Sequence, residues 1–275
     1  MQSINSIDLG IREIRQLTGF IKESHGVDYS EYALTSFKRR VENFLTVNKI
    51  NCDSLLKKLV TKDYLDHFAG CIAVGVTELF RDPTFWILLK NIYLANILRE
   101  QQKMRIWLPM CASGEEFYSL AILLKESGWT DKAEIYVSSM SNESLENIKK
   151  GRLDNEKLEI SAKNYIRFQG AGQLTDYIKK SGDNISIDHS LLSETRFFKE
   201  GLEFDHDIPP MNLILFRNQL IYFNSTLQSK LIDILYDKLS VKGLLALGIL
   251  EEIDLKINNK YIGLNKDESI YQRRS

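Results

Sequence analysis

The stretch Met104-Arg105-Ile106-Trp107-Leu108-Pro109-Met110 runs into Cys111-Ala112-Ser113-Gly114-Glu115-Glu116 and then into Phe117-Tyr118-Ser119-Leu120-Ala121-Ile122. A short apolar run, then small residues and a glycine, then a helical pattern, is the signature of one unit of a parallel α/β sheet. Such sheets bind ligands beyond the carboxyl ends of their strands. Small residues let a ligand approach the backbone there, and the opening turn of the helix offers free N–H groups. Two acids at that point suit a ligand with hydroxyls, an amine or a positive charge, and repel phosphate. On another reading, Glu115 and Glu116 only stabilise a helix N-terminus through the macrodipole.

The surrounding texture agrees with an α/β fold. Glu134-Ile135-Tyr136-Val137 reads as a strand, Asn142 to Lys150 as a helix ending at Gly151, and Met211 to Phe216 as a buried strand. Ser225 to Leu239 reads as a helix, Gly243 to Gly248 as a strand and Ser269-Ile270-Tyr271-Gln272 as a final strand. This alternation predicts a mostly parallel sheet covered on both faces. Residues 152–203 are less regular and read as an insertion, with Ile185-Ser186-Ile187 and Thr195-Arg196-Phe197-Phe198 as small strands.

Residues 1–90 differ. Ile11, Ile14, Leu17, Phe20 and Ile21 recur at helical spacing, as do Leu34, Phe37, Val41, Phe44 and Leu45. Leu55, Leu56, Leu59 and Val60 make a third helix, with Asp53 or Ser54 placed to cap it. A small helical domain at 1–90 and a larger one at 91–275 follow, within the usual size range for a chain of 275 residues.

Bulk properties remove several classes. A net charge of −1 leaves no basic field for nucleic acid. Cys52, Cys71 and Cys111 form neither a disulfide framework nor a metal-ligand spacing. The first residues lack the basic and apolar parts of a signal peptide. The run Leu244 to Leu250 is far short of the ~20 residues that span a bilayer. A cytoplasmic location with no membrane insertion is therefore expected. His25, His67, His189 and His206 show no catalytic spacing. Among common ligands, S-adenosylmethionine has hydroxyls, an amine and a positive charge without phosphate.

Four stretches carry a resemblance to the chemotaxis receptor methyltransferases of the CheR type. They are Val74-Gly75-Val76-Thr77-Glu78-Leu79-Phe80-Arg81-Asp82-Pro83, the run from Ile106 through Ala121, Phe216-Arg217-Asn218-Gln219-Leu220-Ile221-Tyr222-Phe223, and Tyr32-Ala33-Leu34-Thr35-Ser36-Phe37-Lys38-Arg39-Arg40-Val41. The resemblance implies a Rossmann-like S-adenosylmethionine-dependent methyltransferase domain, a small helical N-terminal domain and a small inserted β-subdomain. It implies methyl transfer to glutamate side chains of a chemoreceptor or related signalling protein. A glutamate nucleophile is already ionised near neutral pH, so no general base is needed.

By the same resemblance, S-adenosylmethionine or S-adenosylhomocysteine would lie beside Thr77 and Arg81, with Arg81 near the carboxylates of cofactor or substrate. Glu116, with Glu115 less favoured, would face its polar portion. Arg217 and Asn218 would line the opposite strand end, and Tyr222 would lie near the transferring methyl. Ser139 takes the place of the family's ribose-binding acid, and Gly201-Leu202 that of a pair near the adenine. Lys38, Arg39 and Arg40, on a basic helix at 32–45, would meet an acidic helical chemoreceptor-like bundle.

The sequence departs from the family pattern at the pocket. Gly75 replaces an asparagine, Leu108-Pro109-Met110 replaces Ser-Ala-Gly, and Ile249-Leu250-Glu251 replaces His-Ser-Glu. A methionine fills room that a glycine leaves to a ligand, and proline removes a donor. One serine hydroxyl cannot accept two hydrogen bonds as a carboxylate does. Each lost charge-assisted bond weakens binding by roughly 1.5–3 kcal/mol. The expectation is a methyltransferase scaffold with an eroded pocket, serving as a non-catalytic protein-binding or regulatory module. The alternatives are a fully active S-adenosylmethionine-dependent protein-glutamate O-methyltransferase with a rearranged pocket, and a related fold taking another ligand.

Overall fold

The structure is a computed structural model that describes residues 7–73, 77–182, 184–192, 194–256 and 258–274. Val74, Gly75 and Val76, with which one quoted motif begins, lie outside the described residues.

Four helices come first: α1 (Ile11–His25), α2 (Leu34–Asn48), α3 (Cys52–Lys58) and α4 (Lys62–Ile72). Their apolar stripes close a core of Leu17, Ile21, Phe37, Val41, Leu45, Leu55 and Phe68. Asn51, not Asp53 or Ser54, caps α3 by accepting the Ser54 N–H at 2.9 Å. Its extended backbone aims its side chain at the first turn, whereas Asp53 is already inside the helix.

The buried residues of that core end at Ile72, and Leu79 begins a second core on one face of the sheet. Helix α5 (Pro83–Leu88) contributes Phe85 and Trp86 to this second core. It continues through a π-helical stretch, Leu89–Leu94, into α6 (Ala95–Glu100).

Seven strands build the main sheet: β1 (Met104–Leu108), β2 (Ala133–Ser139), β5 (Thr195–Lys199), β6 (Met211–Leu215), β7 (Leu239–Ala246), β8 (Tyr261–Asn265) and β9 (Ile270–Arg273). Their order is β5-β2-β1-β6-β7-β9-β8. The first five in that order are parallel, β9 is antiparallel to β7, and β8 is antiparallel to β9. Successive side chains of a strand point to opposite faces. Ile106 and Leu108 therefore enter one core with Ile135, Val137 and Leu213, while Trp107 enters the other with Tyr136, Ile214 and Leu245. Helices α7 (Glu115–Glu126), α8 (Asn142–Lys149) and α10 (Ser225–Lys238) follow β1, β2 and β6.

The middle region holds α9 (Leu158–Phe168) and a separate hairpin of β3 (Ile178–Ser181) and β4 (Asn184–Ile187). Thr195-Arg196-Phe197-Phe198, read from sequence as part of the insertion, is instead the edge strand β5, parallel to β2. Its partner lies far away in sequence, so local pattern could not assign it to a sheet.

Asp66 on α4 locks the two parts together. It accepts the N–H groups of Asn142 at 3.0 Å and Glu143 at 3.1 Å, and the Ser141 hydroxyl at 3.0 Å. It also pairs with Lys199 at 2.5 Å. Burial pushes this carboxyl up, but Lys199 and the N–H donors outweigh it and hold it below the ordinary range. Close approach of α4 to α8 requires Gly70, where a Cβ would stand 2.9 Å from the Ser141 hydroxyl.

Candidate functional site

Strands β1 and β6 are neighbours, pairing Ile106 with Leu213 and Trp107 with Ile214. Their carboxyl ends therefore face each other, and the loops 109–114 and 216–219 form the rim of one cleft. Gly114 opens α7 with φ 98°, and a Cβ there would be 2.6 Å from the Tyr118 ring. Only glycine combines that backbone with that contact.

Arg217 organises the cleft. Its side chain is 1% exposed, with Nη2 donating to Asp82 at 2.6 Å and Nη1 to Glu116 at 3.0 Å. Its guanidinium lies 4.0 Å from the centre of the Phe85 ring. Burial raises the Glu116 carboxyl above its usual value, and Arg217 offsets part of that rise.

Arg81 is carried on a turn whose neighbours Phe80 and Asp82 both have left-handed backbones, φ 54° and 55°. Such angles are rare outside glycine and persist only where surroundings enforce them. The enforcement comes from Ser119 Oγ, which accepts the Phe80 N–H at 2.8 Å, and Ser161 Oγ, which accepts the Leu79 N–H at 3.1 Å. Asn164 donates to the Leu79 carbonyl at 3.2 Å. Sequence reasoning missed these three supports, since a serine on a helix carries no local sign of the distant backbone it will hold.

Asn218 also has a left-handed backbone, φ 57°. Glu251 braces it by accepting N–H groups from Asn218 at 2.8 Å, Gly248 at 2.7 Å and Ile221 at 3.2 Å. Glu251, read in sequence only as the end of an altered motif, is thus the brace of this rim.

Thr77, Arg81, Glu116, Arg217 and Asn218 all line this cleft. Four other residues singled out from sequence do not. Glu115, 3% exposed, lines a different cleft with His67 and Glu143, and the Ser113 hydroxyl donates to it at 2.5 Å. Consecutive helical residues point about 100° apart, so adjacent acids must diverge. Burial pushes the Glu115 carboxyl up to about 7. Ser139 is buried at the end of β2, its carbonyl accepting the Glu200 N–H at 2.9 Å. Leu202 lines a third cleft with Tyr29, Leu65 and Met140. Tyr222 is not in the cleft wall, because the Arg40 guanidinium stacks 3.9 Å above its ring.

A family model described as "CheR methyltransferase, SAM binding domain" matches residues 75–270. The chain belongs to this family. Among curated relatives, a candidate methyltransferase of Pseudomonas putida, Cher3, is 28% identical over 264 residues, covering 95% of this chain and 96% of that one. A chemotaxis protein methyltransferase of Listeria innocua is 28% identical over 239 residues, covering 86% and 88%. Among solved structures, the N-methyltransferase NodS of Bradyrhizobium japonicum, in complex with S-adenosylhomocysteine, overlaps loosely. Its TM-score is 0.40 and its identity 11%, over 81% of this chain and 98% of that one.

Whether this CheR-family cleft fits an adenosyl cofactor is decided residue by residue. Glu116 and Arg81 are suited to the ammonium and carboxylate of an amino-acid end. Room for the adenosyl end is small within this cleft. The cleft has a cavity volume of about 50 Å³, room for a few waters, whereas small-molecule sites begin at roughly 300 Å³. Met110 keeps a glycine-like backbone, φ 55°, yet carries a side chain that is only 7% exposed. That side chain joins the core of Trp107, Tyr136, Phe204 and Phe216, against which Met140 and Leu202 pack. Ser139 offers no carboxylate where a ribose would need one.

The basic triplet on α2 does not form a continuous exposed patch. Lys38 is held by Asp8 at 2.6 Å and Glu42 at 3.5 Å. Arg40 turns inward to Tyr222 and to the Ile72 carbonyl at 2.7 Å. Arg39 is exposed. A helix face predicted from spacing alone ignores Tyr222, which Arg40 meets from a distant part of the chain. Among the described residues, no helix is long and apolar enough to cross a membrane.

Proposed function

We propose that this CheR-family protein is a protein-binding member of its family, one that engages a chemoreceptor-like signalling partner in the cytoplasm without transferring a methyl group. The observation that carries this reading is Met110, a buried methionine with the left-handed backbone that favours glycine, where the resemblance implies a glycine. The small cavity and the exchange of an acid for Ser139 support it. The partner class rests on the relatives named chemotaxis protein methyltransferases. On the partner-facing side, the exposed Arg39 and the helical domain would supply a weaker electrostatic guide than three free cations.

The test is calorimetric titration with S-adenosylhomocysteine. The native protein is expected to show no binding at millimolar ligand, and a Met110→Gly, Ser139→Asp double variant to gain measurable binding. Micromolar binding to the native protein, abolished by Glu116→Ala, would overturn the reading. It would favour instead an active protein-glutamate O-methyltransferase with a rearranged pocket. The retained group of Arg81, Asp82, Glu116 and Arg217 favours that second reading. It would also require Tyr222 to leave Arg40 if the tyrosine is to face a transferring methyl.

A further inference from the structure

Away from the cleft of Arg217, α4 and α8 bring together a thiol, an imidazole and a carboxylate. His67 and Cys71 lie one helical turn apart on α4, with His67 Nε2 and Cys71 Sγ separated by 3.7 Å. The other ring nitrogen, Nδ1, is 2.7 Å from Glu143 Oε2 at the start of α8. An ionised carboxylate can only accept, so Nδ1 carries a proton, and in the neutral ring Nε2 is the acceptor facing the thiol. Nucleophile, base and orienting acid are thus in the serial arrangement that activates a weak nucleophile.

Cys71 is exposed, whereas Cys52 and Cys111 are buried. It opens into a cleft of about 360 Å³ whose charged lining is Glu115, Glu143, Arg152 and Asp154, beside His67. Glu143 and Asp154, with a partly ionised Glu115, against one arginine favour an amine-bearing reagent over an anionic one. Burial lifts the Cys71 thiol above its ordinary value, and the Glu143 charge adds to this. The resting group is therefore the protonated thiol, and its proton needs an acceptor.

We propose that Cys71 is a base-assisted exchange site for small amine-bearing disulfides. Cys71 Sγ–H gives its proton to His67 Nε2, and the thiolate attacks one sulfur of the disulfide. A new bond forms between Sγ and that sulfur as the original S–S bond breaks, and the departing thiolate takes the proton from His67. The products are a mixed disulfide on Cys71 and one free thiol, with no net oxidant consumed. Ala112 and Ser113 line both this cleft and the Arg217 cleft. An adduct on Cys71 therefore presses on the loop that opens α7.

The test is timed reaction of the full chain with cystamine at neutral pH, with intact-mass and peptide mapping. Cys71 is expected to react first of the three cysteines, and His67→Gln to remove most of that reactivity. Glu143→Gln, which keeps the shape of α8, is expected to remove part of it, and glutathione disulfide to react more slowly than cystamine. A Cys71 rate unchanged in a folded His67→Gln variant overturns the proposal.

Discussion

Arg217 binds Glu116 and Asp82 on two nitrogens of one guanidinium, at 3.0 and 2.6 Å, and thereby ties the first turn of α7 to the turn that carries Arg81. The arginine is almost wholly buried, and the carboxylates retain about a fifth of their exposure. Removing the cation leaves two like charges facing each other with little water. Arg217→Met is expected to destabilise the protein by about 2–4 kcal/mol, slightly under the range for fully buried pairs. Adding Asp82→Asn and Glu116→Gln should recover much of the loss, since neutral groups no longer repel. Urea unfolding of the three variants measures both effects. Equal destabilisation of the single and triple variants would show that charge is not the reason.

At Met110, glycine and alanine should reverse their usual order. Both substitutions lose the buried side chain, a cost of about 2–5 kcal/mol. In ordinary backbone, alanine is then the better residue by roughly 0.5–1 kcal/mol. At φ 55° it retains the left-handed strain that glycine relieves. Met110→Gly is therefore expected to be the more stable of the two in thermal unfolding.

The Asp66 carboxyl, depressed in the folded protein, contributes stability above its ordinary value of 3.8, and that contribution is lost as pH falls through the folded value. Acid should loosen the docking of α4 on α8. Asp66→Asn is expected to cost about 1–2 kcal/mol near neutral pH, as loss of a helix cap does, and to shrink the acid dependence. Unfolding midpoints from pH 7 down to 3 test this; identical slopes for native and variant would count against it.

Glu115 has the opposite sign. Its carboxyl is raised to about 7 from 4.5, so the folded state binds the extra proton between those values and stability falls as pH rises through that window. The decline amounts to about 3 kcal/mol at most. Glu115→Gln can still accept from Ser113 and should flatten the curve, leaving the variant the more stable protein at pH 8. Chemical unfolding at pH 5 and pH 8 distinguishes the two.

Much of the architecture was written locally. The unbroken apolar run of Ile106, Trp107 and Leu108 marked a buried strand, and the small residues ending in Gly114 marked its ligand-side turn. The helical stripes of α1 and α2 gave the first core. The shared cleft of Arg81, Glu116, Arg217 and Asn218 was legible through the resemblance to the CheR family, which named each of them.

What the chain order left open was decided by contacts between distant segments. Whether Glu115 or Glu116 faced Arg217 depended on the rotation of α7 against the sheet. Thr195–Lys199 became an edge strand because β2 offered it hydrogen bonds. Arg40 turned from solvent because the distant Tyr222 stood beside it, and His67 met Glu143 because Gly70 let α4 approach α8. Sequence periodicity determines which face of an element is apolar. Only tertiary packing decides which polar groups meet, because their energies depend on partners and desolvation that no local stretch contains.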